Sequence, residues 1–96
     1  MIESFGDNAT EDLYHGRSTS KVRHFPPEMT RIAIRKLDMI NAAHHLDDLR
    51  EPTGNRLESL KGDLVGYYSI RVNDQWRIVF RWENNNAYSV SLTDYH

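Results

Sequence analysis

The feature that most constrains the fold is a two-residue alternation of apolar and polar side chains that recurs three times in the second half of the chain. It covers residues 68–72, 76–82 and 88–93, and short polar runs separate the three segments. A period of two places the apolar side chains of a strand on one face of a sheet, and short connections favour antiparallel neighbours. We therefore predict an antiparallel meander with one apolar face, on which the third strand presents Tyr88, Val90 and Leu92.

A helix beginning at Pro27 is the simplest cover for that apolar face. Proline suits a first helical turn because its missing N–H would have no partner within the helix. Apolar side chains then recur at helical spacing and form one stripe, which consists of Met29, Ala33, Leu37 and Ile40. We also expect a short helix capped at Asp7 or Asn8. Weaker alternation predicts an edge strand at residues 1–5 and a short strand at residues 57–60.

Length and composition fit one soluble α+β domain that spans residues 1–96. The hydrophobic fraction of 39% and the charged fraction of 27% are typical of folded soluble proteins. The absence of cysteine excludes a disulfide framework and cysteine-ligated zinc. No secretory signal opens the chain, and no apolar run reaches the roughly 20 residues that a membrane span needs. We expect a cytoplasmic protein that works without a membrane.

The alignment of the first two strands of the meander decides where their arginines lie. A loop of residues 73–75 pairs Ile70 with Ile78, so that apolar residues meet on one face. The same register puts Arg71 directly opposite Arg77 on the polar face. Like charges opposite each other are destabilising, so either carboxylates lie nearby or the surface binds an anion.

The polar face also collects other groups that can bind an anion. The third strand brings Ser91 or Thr93 opposite Arg77, depending on its register. Three further side chains lie at the chain end or in a preceding loop, namely Tyr95, His96 and Lys61. Taken singly, such residues are ordinary on a solvated sheet face or a frayed end. Together they favour an anion site.

This set of side chains suits the cleavage of RNA without a metal. Arginine binds phosphate through paired hydrogen bonds and stabilises charge on its oxygens, while histidine transfers protons near neutral pH. The 2′-hydroxyl of RNA can attack the adjacent phosphate, and DNA lacks this group. His44 and His45 are adjacent and lack the i,i+4 spacing of a helical metal pair. We expect no metal and no other cofactor.

Three runs of sequence resemble one known family. They are N-R-L-E-S-L-K-G-D at residues 55–63, G-Y-Y-S-I-R-V-N-D-Q-W-R-I-V-F at residues 66–80, and D-Y-H at residues 94–96. The opening M-I-E-S-F at residues 1–5 is similar too. In these runs the chain resembles the HigB-type toxins of the RelE/ParE superfamily, and most of all their GraT-like branch.

The resemblance implies a fold, an activity and partners. The fold would be a small RelE-like α+β fold, with a mostly meandering antiparallel sheet packed on N-terminal helices. The protein would be the toxin of a type II toxin–antitoxin pair, an mRNA endoribonuclease that acts in the ribosomal A site. Its partner would be a HigA-type antitoxin with a helix-turn-helix domain, and the pair would contact operator DNA only through the antitoxin.

The resemblance also assigns roles to residues of the predicted anion site. The catalytic set that we predict is Asp94, Tyr95, His96, Arg77, Lys61 and Glu58, and the RNA- or phosphate-binding set is Arg71, Arg77, Lys61 and Arg81. Glu58 departs from the family, because well-studied members have histidine at this position. A carboxylate can replace imidazole as a base but repels phosphate, so we expect slower or differently organised catalysis.

Two other functions are compatible with the same fold. One is a ParE-like toxin that inhibits DNA gyrase and cleaves no RNA. The other is an inactive toxin that serves as a co-repressor with its antitoxin. The D-Y-H end and Lys61 favour the nuclease over the gyrase inhibitor.

Overall fold

The computed structural model describes residues 1–94, in which helices precede an antiparallel sheet. The helices are α1 (Asn8–Tyr14) and α2 (Pro27–Ala42), and the strands are β1 (Glu58–Ser59), β2 (Tyr67–Arg71), β3 (Trp76–Glu83) and β4 (Asn86–Asp94). The strands lie side by side in chain order, and each pairs with the next in antiparallel fashion. The predicted α+β class and the predicted meander are therefore confirmed.

Helix α2 covers the apolar face of the sheet as its sequence pattern predicts. The four residues of its apolar stripe are at most 1% exposed. They share one core with sheet residues such as Ile70, Ile78 and Phe80, which are fully buried. Removing this apolar surface from water is the main favourable contribution to folding. No helix within residues 1–94 has the length and apolar character needed to cross a membrane.

The pairing of β2 with β3 follows the predicted register. Ile70 lies opposite Ile78, and Arg71 lies opposite Arg77. The connecting loop is shaped by Asn73, whose side-chain oxygen accepts hydrogen bonds from the backbone N–H groups of Gln75, at 2.9 Å, and of Trp76, at 2.8 Å. An asparagine that bonds the backbone beyond it favours a tight turn, so the loop sequence itself sets the register.

Strand β4 contains a bulge that the sequence pattern did not predict. Val79 pairs with Ser91 but Arg81 pairs with Tyr88, so β4 has one more residue than β3 between these pairs. Ser89 adopts a left-handed conformation with φ of 54° at this point. An extra residue of this kind shifts the alternation of side chains on the bulged strand.

The bulge makes one prediction about the apolar face of the sheet wrong. Tyr88 does not share the core face with Val90, because the bulge turns it to the polar face of the sheet. There its ring centroid lies 4.8 Å from Cζ of Arg81. Ala87 takes the core position instead and is fully buried.

The first residues, predicted to form an edge strand, run parallel to β4 and contact it through isolated bridges. Ile2 bridges to Ala87 and Phe5 bridges to Val90. The hydroxyl oxygen of Ser4 accepts a hydrogen bond from the backbone N–H of Ser89 at 2.9 Å. The N-terminal segment thereby braces the bulge of β4.

Gly6 approaches the bulge so closely that we expect any side chain there to be destabilising. A Cβ atom at Gly6 would lie 2.2 Å from Oγ of Ser91 and 2.9 Å from the carbonyl oxygen of Ser89. The hydroxyl can rotate away, but the carbonyl moves only with the strand. Gly6→Ala is expected to lower the free energy of unfolding by about 1–3 kcal/mol, measured by urea denaturation. Gly54→Ala is the matched control, because no atom lies within 4 Å of its Cβ position. Equal losses in both variants would contradict this account.

Candidate active site

Arg77 lies at the centre of the polar face and is held by oxygen atoms that carry no formal charge. Its Nε donates to Oγ of Ser69 at 2.8 Å. Its Nη2 donates to the carbonyl oxygen of Arg56 at 2.7 Å and to that of Ser69 at 3.3 Å. Ser69 is fully buried, so its hydroxyl is a fixed acceptor. Among residues 1–94, the guanidinium group is thus oriented by uncharged acceptors.

The remaining hydrogen-bonding capacity of Arg77 lies on Nη1. Within residues 1–94, its hydrogen bonds leave from Nε and Nη2 alone. The ion pairs among those residues involve other arginines. A guanidinium has five N–H donors in a planar fork, and those on Nη1 can therefore point to an anion bound on the open face.

The other two arginines of the polar face are paired with acidic side chains. Arg71 forms an ion pair with Asp74 of the β2–β3 loop. Arg81 forms an ion pair with Glu83 on its own strand. Asp74 is almost completely exposed, and exposed pairs of this kind contribute only about 0–1 kcal/mol to stability. A phosphate can therefore replace such a carboxylate at little cost. The sequence left open whether carboxylates or a bound anion balance these charges. Carboxylates balance those of Arg71 and Arg81.

Glu58 lies beside Arg77 without neutralising it. Glu58 is the β1 partner of Ser69, the residue that accepts the hydrogen bond from Nε of Arg77. Paired residues of neighbouring strands project to the same face, so the carboxylate stands on the open face next to the guanidinium. It is exposed and belongs to none of the ion pairs of residues 1–94.

The end of β4 completes the described part of this face. Thr93 lies opposite Arg77, which selects one of the two predicted registers. Asp94 lies opposite Trp76, whose side chain packs against the core, so Asp94 projects to the other face of the sheet. Its Oδ2 accepts a hydrogen bond from Nε2 of Gln75 at 3.1 Å. The predicted catalytic residues Tyr95 and His96 lie outside the described residues.

Two predicted site residues lie farther from the centre. Lys61 is exposed in the loop that follows β1. Arg81 is four residues beyond Arg77 on β3, which separates their Cα atoms by about 13 Å in an extended strand. The structure therefore brings Glu58, Arg71, Arg77 and Thr93 together and places Arg81 towards the other end of the strand.

Helix α2 adds a cation that the sequence pattern did not assign to the site. Burial lowers the pKa of Lys36 below that of an ordinary lysine, and the nearby charges of Arg35 and Arg71 lower it further. The positive charge of the sheet edge therefore continues onto α2. Lys36 borders the apolar stripe of the helix, so periodicity alone assigned it to the helix surface.

A shallow groove of about 440 Å³ opens on the same face. Leu64, Tyr67 and Val79 give it an apolar floor, and hydroxyl groups of Ser89, Ser91 and Thr93 line its rim together with Gly6. It was not predicted, because its lining depends on the bulge at Ser89 and on Gly6, which lies against that bulge. Among residues 1–94, no three His, Asp or Glu side chains are grouped closely enough to hold a metal ion.

Comparison with known proteins gives a consistent family assignment. The family model described as the RelE-like toxin HigB of type II toxin–antitoxin systems matches residues 3–96. Toxin HigB-1 of Vibrio cholerae serotype O1 is 38% identical over 92 residues, which cover 96% of this chain and 95% of the relative. Endoribonuclease HigB of Proteus vulgaris is 36% identical over 96 residues and is covered completely, as is this chain.

Solved structures share the fold at lower sequence identity. A YoeB–YefM complex from Staphylococcus aureus superposes with a TM-score of 0.62 at 22% identity, over 100% of this chain and 98% of the matched chain. YafQ of Escherichia coli superposes with a TM-score of 0.57 at 14% identity, over 98% and 93%. These values confirm the predicted RelE-like fold. From the family match along residues 3–96 and the two HigB relatives, the chain belongs to the HigB-like family of RelE-like toxins of type II toxin–antitoxin systems.

Proposed function

We propose that this toxin is an endoribonuclease that cleaves mRNA on the ribosome and thereby stops translation. The observation that carries the proposal is Arg77, whose guanidinium is fixed by uncharged oxygens through Nε and Nη2, so that within residues 1–94 its Nη1 is left for an anion on the open face. A preorganised cation of this kind stabilises charge that grows during a reaction. The relative from Proteus vulgaris, named an endoribonuclease, supports the same activity here.

The proposed reaction uses the 2′-hydroxyl of the substrate as its nucleophile. Its oxygen attacks the adjacent phosphorus while a base removes its proton, and the bond from phosphorus to the 5′-oxygen breaks. An acid donates a proton to that leaving oxygen, so the products are a 2′,3′-cyclic phosphate and a 5′-hydroxyl end. Arg77 offsets the negative charge on the phosphoryl oxygens. Lys61, which lies farther from the centre, contacts phosphate or ribosomal RNA, a role that rests on the family resemblance.

The proton transfers are assigned to Glu58 and to the residues at the end of the chain. Glu58 stands on the open face beside Ser69 and is the proposed base. His96 is the proposed acid, because imidazole exchanges protons near neutral pH, while Asp94 and Tyr95 orient the reacting groups. The roles of the last three residues rest on the family resemblance.

The remaining cations bind the RNA backbone on either side of the cleaved bond. Arg71 can exchange Asp74 for a phosphate, and Arg81 can exchange Glu83 in the same way. The groove floored by Tyr67 and Val79 offers an apolar surface for a neighbouring base. Single-stranded RNA is commonly held by such a combination of cations and stacking surfaces.

The proposed partners follow from the same family. The antitoxin is a HigA-type protein with a helix-turn-helix domain, and operator DNA is bound through it alone. One structural relative is a complex of YoeB with YefM, which supports a complex between this toxin and an antitoxin chain. The proposed place of action is the cytoplasm, where ribosomes translate mRNA.

Cleavage of translated mRNA is the first expected outcome. Induction of the toxin without its antitoxin is expected to produce primer-extension stops within translated frames. His96→Ala is expected to reduce them at least about 100-fold, since a general acid contributes about 10²–10⁴-fold. His24→Ala is the matched control, because His24 is exposed in a turn of three residues before α2. Growth arrest by the His96→Ala variant without mRNA cleavage would refute the proposal and favour a gyrase inhibitor.

Replacement of Glu58 by histidine tests the role of the carboxylate. The negative charge beside Arg77 repels the incoming phosphate, so Glu58→His is expected to cleave ribosome-bound mRNA about tenfold faster, which corresponds to a barrier about 1.4 kcal/mol lower. Initial cleavage rates at saturating ribosome concentration provide the measurement. Glu28→His, on the exposed first turn of α2, serves as control and should leave the rate unchanged. A slower Glu58→His variant would count against this role.

A further inference from the structure

We infer that Asn55 and the backbone of Arg56 form a positioning strut that, together with Ser69, fixes the Arg77 guanidinium. The strut connects α2, the loop that precedes β1, and the open face of the sheet. It rests on the proposed function insofar as Arg77 contacts a phosphate. The geometric part of the inference concerns the free toxin and can be measured without RNA.

Asn55 is fully buried, and its polar atoms have partners within the described residues. Its Nδ2 donates to the carbonyl oxygen of Leu49 at 3.2 Å and to that of Glu51 at 3.4 Å. Its Oδ1 accepts a hydrogen bond from Nζ of Lys36. A buried polar side chain with satisfied donors and acceptors fixes its surroundings in one arrangement. Asn55 therefore ties the loop to helix α2.

The backbone conformation of Arg56 orients its carbonyl group towards Arg77. Its backbone is left-handed, with φ of 46° and ψ of 57°. Residues other than glycine rarely adopt this conformation. Its N–H donates to the carbonyl oxygen of Thr53 at 3.1 Å. In this conformation the Arg56 carbonyl oxygen accepts the hydrogen bond from Nη2 of Arg77 at 2.7 Å.

Arg77 is consequently held from two independent parts of the chain. Ser69 holds it from β2, and Arg56 holds it from a loop that lies 21 residues earlier in the sequence. With both acceptors in place, rotation of the guanidinium about its last side-chain bonds is blocked. The role of Arg56 in this arrangement belongs to its backbone, so the guanidinium of Arg56 itself is dispensable for positioning.

Two substitutions at Arg56 separate the backbone from the side chain. Arg56→Asn and Arg56→Val both remove the positive charge. Asparagine tolerates the left-handed conformation, whereas the β-branched valine strongly disfavours it. With ribosome-bound mRNA as substrate, Arg56→Asn is expected to change kcat only by the effect of losing one surface charge. The Val variant is expected to lose at least about tenfold more in kcat, with little difference in KM between the two.

A second measurement keeps the strut testable if the proposed nuclease activity fails. The Nε–H signal of Arg77 in the ¹⁵N NMR spectrum of the free toxin reports the mobility of its guanidinium. We expect a rigid signal in wild-type protein and the Asn variant, and increased mobility in the Val variant and in Lys36→Met, which removes the donor to Oδ1 of Asn55. Thermal unfolding confirms that each variant is folded at the measuring temperature.

The outcomes distinguish a failure of the positioning strut from a failure of the proposed nuclease function. Equal kcat and equal Arg77 mobility in Arg56→Asn and Arg56→Val would overturn the strut. If no variant, including wild type, cleaves ribosome-bound mRNA, the proposed function fails. In that case a mobile Arg77 in the Val variant still supports the strut, and a rigid one overturns it.

Discussion

Burial of the apolar sheet face under helix α2 is the interaction on which the rest of the structure depends. A four-stranded sheet with one wet face is stable only when the other face is covered, and α2 supplies side chains that are at most 1% exposed. This packing fixes which side of each strand meets solvent. It therefore places Arg71 and Arg77 on the open face and makes their charge available to a ligand.

The arginines of the open face have two kinds of partner, carboxylates and uncharged oxygen atoms. Arg71 and Arg81 are paired with carboxylates in exposed positions, so they can exchange these partners for phosphate. Arg77 is held by a hydroxyl and two carbonyl oxygens instead. Uncharged acceptors orient a guanidinium without cancelling its charge, and this suits a group that must stabilise a developing anion. The charge of Lys36 on α2 raises the local positive potential further.

The sequence predicted what depends on periodicity and missed what depends on irregular backbone. Parity aligned Ile70 with Ile78, because a two-residue loop would pair Ile70 with Arg77 and bury a charge. It failed at Tyr88, because the left-handed Ser89 inserts a bulge and no glycine marked the position. The Arg56 carbonyl could not be predicted as a partner of Arg77, because 21 residues separate them and the contact depends on one backbone conformation.

The proposed reaction requires Arg77 to be preset to bind the phosphate at the cleaved bond. Its most direct test is a structure of the toxin on a ribosome whose mRNA carries a 2′-O-methyl group at the cleavage position, which blocks attack. The account predicts Nη1 of Arg77 within about 3 Å of an oxygen of that phosphate, with the hydrogen bonds to Ser69 and Arg56 unchanged. A phosphate held elsewhere, or a guanidinium that has left both partners to reach it, would contradict the claim.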